Sequence, residues 1–335
     1  MESKDRILAS FYIMDILKMY SDEKHYLNYS EISDKIKEKF NTDVDPKTIG
    51  KYIGFMQEYG LDIEKKRNVG CALVNRTFDS SELSFLIDAV FSSKSISLGH
   101  AQDLIKSLMN ESSIYEQKRY DYVFKADDIS RNDNKAFFYT IDTITRAIEE
   151  NKQVSFTYNE FMINKKTKTR FDGKEFIINP YFMINNRGKY YLVCNYYKYD
   201  TLANYKIECI SNIKILDTSI RPLNDLRDTK DFDIGKYVNE HIYMFSGDTV
   251  EATIKLANQK TINDVIDWYG NDITVKEKDD GLYVSLKVNE QAFLYWALQY
   301  GMNIEIVKPV ATKKKYIEML KKIMCKYEGV SKDEQ

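Results

Sequence analysis

The sequence predicts an α+β protein, and three changes of pattern along the chain support that class. Apolar residues recur at helical spacing near the N terminus, alternate with a period of two after Asn151, and mark alternating strands and helices from Val250 onward. A length of 335 residues with 43% hydrophobic residues suffices for two or three cores. We expect four segments, at residues 1–78, 79–150, 151–222 and 223–335.

Three helices are predicted before Gly60. The first spans Lys4 to Tyr20, and Ser30 is a candidate cap for the second because its hydroxyl can accept the free N–H groups of a helix start. Asp45 and Pro46 begin the third in the order that helices favour, and Gly60 ends it. Within the first helix, the apolar residues that recur at helical spacing are Ile7, Leu8, Phe11, Met14 and Ile16.

The third helix and the segment after it have the pattern of a winged helix-turn-helix, with two short strands around a turn at Asn68 to Gly70. In such motifs the second helix of the pair enters the major groove of DNA, and a basic wing follows phosphates. The alternative is a helix-turn-helix with a purely structural role. The predicted DNA-binding residues are Lys47, Thr48, Lys51, Tyr52, Lys65, Lys66 and Arg67.

The charge of this first segment predicts modest affinity for DNA. Residues 1–78 contain 13 Lys and Arg and 13 Asp and Glu, so the segment is neutral. A homodimer that reads two half-sites of an operator would compensate.

Residues 79–150 are predicted to form a helical linker. Asp79 or Ser80 can cap its first helix, and its last helix spans Ala136 to Glu150. The segment from Lys125 to Lys135 is polar and unpatterned, which is typical of a flexible joint.

The middle segment is predicted to form a small, strongly bent antiparallel sheet. Tyr158 ends its first strand, and a β-hairpin turns at Asn185 to Gly188. A further alternating strand carries Tyr205 and Lys206. Because alternate residues of a strand share a face, we expect Leu192 and Ile207 to be buried and Tyr191 and Lys206 to face a partner. Such an arrangement favours a sensing surface over a catalytic cleft.

The same segment is basic. Residues 151–222 contain 12 Lys and Arg against 6 Asp and Glu, a net charge of +6, which suggests an anionic partner. The alternative is a solvated surface, and it applies especially to the loop that contains Lys165, Lys166, Lys168 and Arg170.

The C-terminal segment alternates strands and helices, which predicts a compact α+β sandwich. Its apolar surface makes it a candidate for dimerisation. Trp268 and Trp296 are expected to anchor a core or an interface.

Several function classes lack support in the sequence. The three histidines lie far apart, the four cysteines form no C-x-x-C pair, and phosphate-loop and nucleophile-elbow motifs are absent. No apolar run approaches the roughly 20 residues that span a bilayer. We therefore expect a cytoplasmic protein that is not an enzyme, has no cofactor or metal and binds no membrane.

The middle segment resembles the WYL domain. The resemblance rests on Tyr158, the pair Pro180-Tyr181, and the run from Arg187 to Leu192, where Tyr190 replaces the tryptophan that gives the domain its name. The N-terminal segment looks like the winged helix of bacterial WYL proteins, and the segment from Val250 to Tyr327 resembles their WCX extension. The resemblance thus covers nearly the whole chain and implies an Sm-like sheet in the middle.

The resemblance implies a transcription regulator whose WYL domain binds an anionic ligand, such as a nucleotide or a single-stranded oligonucleotide, and so alters binding to double-stranded operator DNA. The usual arginine-rich strand of the family corresponds to residues 203–210, where Ala203, Lys206 and Cys209 replace three arginines. Lysine offers a point charge instead of a two-pronged donor, and alanine and cysteine offer neither. The candidate ligand-binding residues are Tyr158, Lys174, Arg187, Lys189, Tyr191, Tyr205 and Lys206.

Two functions remain open at this point. The first is a ligand-responsive DNA-binding regulator, repressor-like and dimeric. The second is an effector-binding or interaction protein with a degenerate WYL pocket and no specific DNA binding. The neutral N-terminal segment and the missing arginines favour the second, whereas the basic wing and the capped third helix favour the first.

Overall fold

The computed structural model of the chain describes residues 3–120, 123, 136–163, 167–227 and 229–328. It contains helices and antiparallel sheets in the predicted order, which confirms the α+β class. The chain divides into two compact units, Met1–Asn134 and Lys135–Gln335. The division into four segments stays a prediction. The predicted joint from Lys125 to Lys135 and the loop residues Lys165 and Lys166 lie outside the described residues.

The first unit begins with three helices and a hairpin. The helices are α1 (Ser3–Tyr20), α2 (Tyr29–Phe40) and α3 (Pro46–Glu58), and the hairpin strands are β1 (Ile63–Lys66) and β2 (Gly70–Leu73). The strands pair antiparallel around the predicted turn. We call this hairpin the wing.

The apolar residues of α1 differ in burial. Ile7 and Phe11 are 59% and 63% exposed, whereas Ile13 and Leu17 are fully buried against α2 and α3. Of the residues whose spacing predicts this helix, Ile16 is also fully buried. Apolar residues occur on two sides of the helix, and only packing against α2 and α3 selects the side that is buried.

The start of α2 also differs from the prediction, since Asn28 and not Ser30 is the cap. The Asn28 side chain accepts the Glu31 N–H at 2.9 Å, and the Glu31 carboxylate accepts the Asn28 N–H at 2.7 Å. This reciprocal capping box satisfies two helix-end donors at once, which a serine two residues later cannot do with Glu31.

Three further helices follow in the first unit: α4 (Ser80–Ser92), α5 (Leu98–Met109) and the short α6 (Ile114–Gln117), with a 3₁₀ turn at Lys118–Tyr120 directly after α6. Asp79 caps α4, as predicted. Arg76 joins these helices to α1. Its guanidinium donates to the carbonyl oxygens of Ser21 at 2.6 Å and Glu111 at 3.2 Å.

The second unit contains a helix and a bent antiparallel sheet that belongs to the middle segment. The helix is α7 (Phe137–Glu149), and the strands are β3 (Lys152–Phe161), β4 (Thr167–Thr169), β5 (Glu175–Asn186), β6 (Lys189–Tyr196), β7 (Leu202–Lys206) and β8 (Ile210–Ser219). The strand order is β4-β3-β5-β6-β7, and β8 pairs with β3. We call this the sensor sheet.

A helical turn interrupts the arginine-strand region of the sensor sheet. The expected run from Ala203 to Ile210 is β7, then a single 3₁₀ turn at Ile207–Cys209, then the start of β8. The buried side chain of Ile207 anchors the turn, so the polypeptide leaves β7 and enters β8 beside β3. Cys209 therefore lies on a turn and not on the strand that carries Ala203.

The C-terminal part of the second unit is an α+β layer. Its elements are α8 (Ile234–Glu240), β9 (Thr249–Leu256), α9 (Thr261–Tyr269), β10 (Thr274–Lys278), β11 (Gly281–Asn289), α10 (Glu290–Gln299), β12 (Ile304–Lys308) and α11 (Val310–Glu328). The antiparallel order is β10-β11-β9-β12, with the buried Trp296 in its core. Sequence patterning missed β10 because all five of its residues are exposed. Among the described helices, none combines the length and the apolar character that crossing a membrane requires.

Two glycines of α3 lie in different surroundings. A Cβ at Gly50 would lie 2.9 Å from the Tyr29 ring of α2, whereas a Cβ at Gly54 would have no neighbour within 4 Å. Glycine inside a helix costs roughly 0.5–1 kcal/mol relative to alanine. We infer that Gly50 permits the close packing of α2 on α3 and that Gly54 has no such role within the first unit.

We expect Gly54→Ala to raise the free energy of unfolding by about 0.5–1 kcal/mol, because it gains helix propensity without a clash. Gly50→Ala should gain less or lose stability, because the Tyr29 ring must move. Urea unfolding of both variants measures the difference. Equal stabilisation by the two substitutions would show that the approach of Tyr29 does not constrain Gly50.

Candidate functional site

The N-terminal half of α3 presents a basic face. The Asp45 carboxylate accepts the backbone N–H groups of Lys47 at 3.0 Å and Thr48 at 3.3 Å, which fixes the helix start. Lys47 and Lys51 are four residues apart and are both exposed. Of the other predicted residues on this helix, Thr48 is half-buried and Tyr52 packs against the core. The lysines are therefore the accessible part of the predicted set.

Phe55 extends the exposed face of α3, although it is not among the DNA-binding residues predicted from the sequence. Its side chain is 49% exposed, and the ammonium of Lys51 lies 5.5 Å from its ring centroid. The signal was present, since Phe55 follows Lys47 and Lys51 at the same spacing of four residues. An apolar ring beside lysines can contact the methyl group of thymine in a major groove.

The wing carries the predicted cations on its exposed surface. Lys65, Lys66 and Arg67 are all exposed. Lys66 makes two contacts within the unit: its ammonium lies 4.0 Å from the Tyr26 ring centroid and 3.8 Å from a carboxylate oxygen of Glu64. Contacts with Tyr26 and Glu64 raise the pKa of Lys66. The first unit thus brings five exposed cations onto α3 and the wing.

The two faces of the sensor sheet have different surroundings. Across β6 and β7, Tyr191 pairs with Lys206 and Leu192 pairs with Tyr205. Directly opposed residues share a face, so Lys206 lies on the face of Tyr191 and Tyr205 lies on the other. The candidate residues Tyr205 and Lys206 are therefore on opposite faces of one strand.

Tyr191 is buried, and the expectation that it faces outward is wrong. Its side chain is 7% exposed and packs with Ile184, Val193, Tyr237 and Met244. The sequence could not show this, because the covering residues Tyr237 and Met244 come from a segment that follows the sheet in the chain. Leu192 and Ile207 are fully buried, as expected.

Tyr158 and Tyr205 belong to a cluster of aromatic side chains on the other face. Their ring centroids lie 5.3 Å apart, and the Tyr205 ring lies 5.7 Å from that of Phe176. The Tyr158 hydroxyl accepts the backbone N–H of Lys206 at 3.2 Å. Burial raises the pKa of both tyrosines far above its ordinary value, so both hydroxyls stay protonated at neutral pH.

Cys209 lies at the centre of a polar group at the edge of the sheet. Interaction with Tyr158 and the charges of Lys206 and Lys189 lower the pKa of its thiol, against larger effects in the opposite direction. Burial and Glu208 raise the pKa of the thiol, and the two lysines oppose that rise. We call these five residues the Cys209 group. The 3₁₀ turn assembles the group, and sequence alternation could not place Cys209 beside Tyr158.

Arg187 lies in the two-residue turn between β5 and β6, and its side chain contacts the C-terminal layer. Its guanidinium lies 3.7 Å from the Trp268 ring centroid and donates to the Asp267 carbonyl oxygen at 3.0 Å. This cation–π contact makes Trp268 an anchor for the hairpin. Lys174 is exposed in the turn before β5. The structure thus places the Tyr158 hydroxyl against the backbone of Lys206 and holds Arg187 on Trp268.

Comparison with known proteins supports the middle-segment resemblance. Residues 139–215 match the WYL domain. The match begins in α7 and ends in β8, so it contains the Cys209 group. No curated protein sequence matches the chain.

The solved structures that are similar to the chain include two that cover nearly all of it. Proteasome accessory factor B/C (PafBC) of Arthrobacter aurescens has 12% identity and a TM-score of 0.31, over 94% of this chain and 47% of that chain. A CRISPR Cas-related protein has 14% identity and a TM-score of 0.37, over 97% of this chain and 85% of that chain. The chain therefore spans about half the length of the PafBC chain.

We expect Cys209 to react with iodoacetamide more slowly than a free thiol at mildly alkaline pH, because burial raises its pKa. Replacing Lys189 and Lys206 with glutamine should slow the reaction further, because it removes the charges that lower this pKa. Mass spectrometry of the Cys209 peptide gives the rate. Lys198→Gln removes an exposed lysine elsewhere and serves as the matched control. An unchanged rate in the double variant would show that the two lysine charges do not lower the pKa of the Cys209 thiol.

Proposed function

We propose that the chain is a transcription regulator that binds operator DNA through its first unit and senses an anionic ligand on its WYL domain. The observation that carries the proposal is the coexistence of an exposed basic face on α3 and the wing with a WYL domain in a separate unit. The regulator acts as a cytoplasmic homodimer, repressor-like and without a cofactor, and it performs no catalysis.

The geometry of α3 and the wing supports the DNA-binding part. Lys47 and Lys51 extend from the first turns of a capped helix, the part of a recognition helix that faces bases and phosphates. Lys65 and Arg67 extend from a wing next to that helix. Each phosphate contact by these cations adds about 0.9 to the slope of affinity against salt concentration on logarithmic axes.

The Cys209 group supports the sensing part. The charges of Lys189 and Lys206 both lower the pKa of the Cys209 thiol, and the Tyr158 hydroxyl accepts the backbone N–H of Lys206 at 3.2 Å. A phosphate or carboxylate fits such an arrangement because charged donors make the strongest hydrogen bonds to oxyanions. The ligand class that fits is a nucleotide or a single-stranded oligonucleotide.

The second candidate function is effector binding or protein interaction without specific DNA recognition. The residues that replace the family's usual arginines favour this second function. Arg187 is held on Trp268, and alanine and cysteine stand at positions 203 and 209, so fewer cations are available to grip a phosphate. Calorimetry with nucleotides and short oligonucleotides, paired with gel shifts on operator DNA, separates the two functions. Ligand binding without DNA affinity favours the second.

We expect the combined variant Lys47→Ala, Lys51→Ala, Lys66→Ala to bind the native DNA upstream of its own gene at least tenfold more weakly than the wild-type chain does. The magnitude of the salt slope should fall by about 0.9 for each phosphate that a removed lysine had neutralised. Gel-shift titrations at several salt concentrations measure both quantities.

The matched control for that variant removes three exposed lysines from residues 79–120 of the same unit, Lys94→Ala, Lys106→Ala and Lys118→Ala. This control has the same net charge, so a purely global charge effect would weaken binding equally in both. Unchanged binding by the first variant would remove α3 and the wing as the DNA face.

We expect Cys209→Arg to raise affinity for a phosphorylated ligand about tenfold or more. An arginine beside Lys189 and Lys206 would supply a charge-assisted bond worth roughly 1.5–3 kcal/mol. Calorimetry with a nucleoside monophosphate and a dinucleotide measures the gain. Cys209→Met has comparable bulk without charge and should give no gain. Equal affinity in the arginine and methionine variants would place the anion elsewhere.

A further inference from the structure

The side of α3 that faces away from the core carries residues spaced three and four apart along the helix. Lys47, Lys51 and Phe55 follow one another at intervals of four, and Gly54 comes three residues after Lys51. Residues at these spacings share a face of a helix. We call these four residues the outer face of α3.

Gly54 leaves open space on the outer face. A Cβ at this position would have no neighbour within 4 Å, so packing within the first unit does not require glycine there. Glycine inside a helix costs stability relative to alanine, because it loses more backbone freedom on folding. Where packing within the protein does not explain a glycine, close approach of another molecule to the backbone does. Gly54 therefore indicates a partner that contacts the α3 backbone.

The Phe55 ring is exposed and lies between fixed neighbours beside Gly54. Its side chain is 49% exposed, its ring lies edge-on to that of Tyr52 with 6.2 Å between the centroids, and the Lys51 ammonium lies 5.5 Å from its centroid. Tyr52 itself packs against the core of the first unit. A side chain that is already held loses little conformational entropy when a partner covers it. Phe55 thus presents an apolar surface suited to an apolar group of the partner.

The charges near the outer face favour duplex DNA as this partner. Lys47 and Lys51 are exposed on the outer face, and Lys65 and Arg67 are exposed on the wing. Phosphates border the major groove of DNA, and thymine presents there a methyl group that phenylalanine can contact. Glu58, the last residue of α3, is also exposed and repels phosphates. The phosphate contacts therefore belong to the N-terminal end of the outer face.

We propose that Phe55 contacts the methyl group of a thymine in the major groove and that Gly54 lets α3 approach the base pair closely enough for this contact. The inference rests on the proposed DNA binding and adds to it one base preference and the residue that sets it. Lys47 and Lys51 bind adjacent phosphates and position the helix without reading sequence. Phe55 distinguishes thymine from uracil, which lacks only that methyl group.

The test uses the full chain and the native DNA upstream of its own gene, prepared once with thymine and once with uracil throughout. We expect the wild-type chain to bind the uracil duplex about fourfold more weakly for each contacted methyl group, as burial of one methyl group predicts. Phe55→Ala should bind the thymine duplex more weakly than the wild-type chain does and should bind both duplexes equally. Phe55→Leu keeps an apolar side chain and should retain part of the difference. Gel-shift titrations give the dissociation constants.

Tyr59→Ala is the matched control for Phe55→Ala, because it removes an 86% exposed ring directly after the same helix and should retain the difference between the duplexes. Thermal unfolding of each variant checks that the fold is retained. A uracil penalty that is absent from the wild-type chain, or equal in the wild-type chain and Phe55→Ala, would overturn the inference and leave DNA binding intact. Absence of binding to both duplexes by the wild-type chain would overturn the proposed DNA binding as well.

Gly54→Ala tests the close approach separately. It should raise the free energy of unfolding, because alanine favours the helix. It should nevertheless bind the thymine duplex about fivefold or more weakly, because an added methyl group must enter a filled contact. Gly99→Ala in α5 is the matched control and should leave DNA affinity unchanged, since a Cβ there would also have no neighbour within 4 Å. Wild-type DNA affinity in Gly54→Ala would overturn the close approach of α3 at this residue.

Discussion

The register between β6 and β7 decides the chemistry of the sensor sheet. Because Tyr191 pairs with Lys206 and Leu192 with Tyr205, each strand sends neighbouring residues to opposite faces. A shift by one residue would exchange the two faces and place Leu192 on the side that now carries Lys206. The aromatic cluster, the buried Tyr191 and the position of Lys206 all depend on this pairing.

The C-terminal layer closes one of these faces. Tyr237 packs against Tyr191, its hydroxyl donates to the Asn204 side chain at 3.0 Å, and the Ser246 hydroxyl accepts the Asn204 N–H at 3.0 Å. The Arg187–Trp268 contact fastens the β5–β6 turn to the same layer. Ligand access is consequently left to the opposite face and to the edge at Cys209. A cation expected to grip a ligand instead holds two parts of one unit together.

The helical turn at Ile207–Cys209 places Cys209 where two lysines affect its pKa, although two of the arginines usual in the family are replaced by uncharged residues. It ends β7 after Lys206 and turns Cys209 toward Tyr158, so that Lys189 of β6 and Lys206 of β7 both act on one thiol. The lysines are a weaker anion grip than arginines would be.

The sequence by itself determined the order of helices and strands, the cap at Asp45 and the turn at Asn185 to Gly188, because local hydrogen bonds and short periods control these features. It also carried the resemblance to the WYL domain, which residues 139–215 match. Only the tertiary structure decided which apolar face of α1 is buried, that Tyr191 is covered, that Arg187 contacts Trp268 and that Cys209 meets Tyr158. Each of these depends on residues distant in the chain. Helical spacing and strand alternation define the faces of an element, but only the packing partner determines which face is buried.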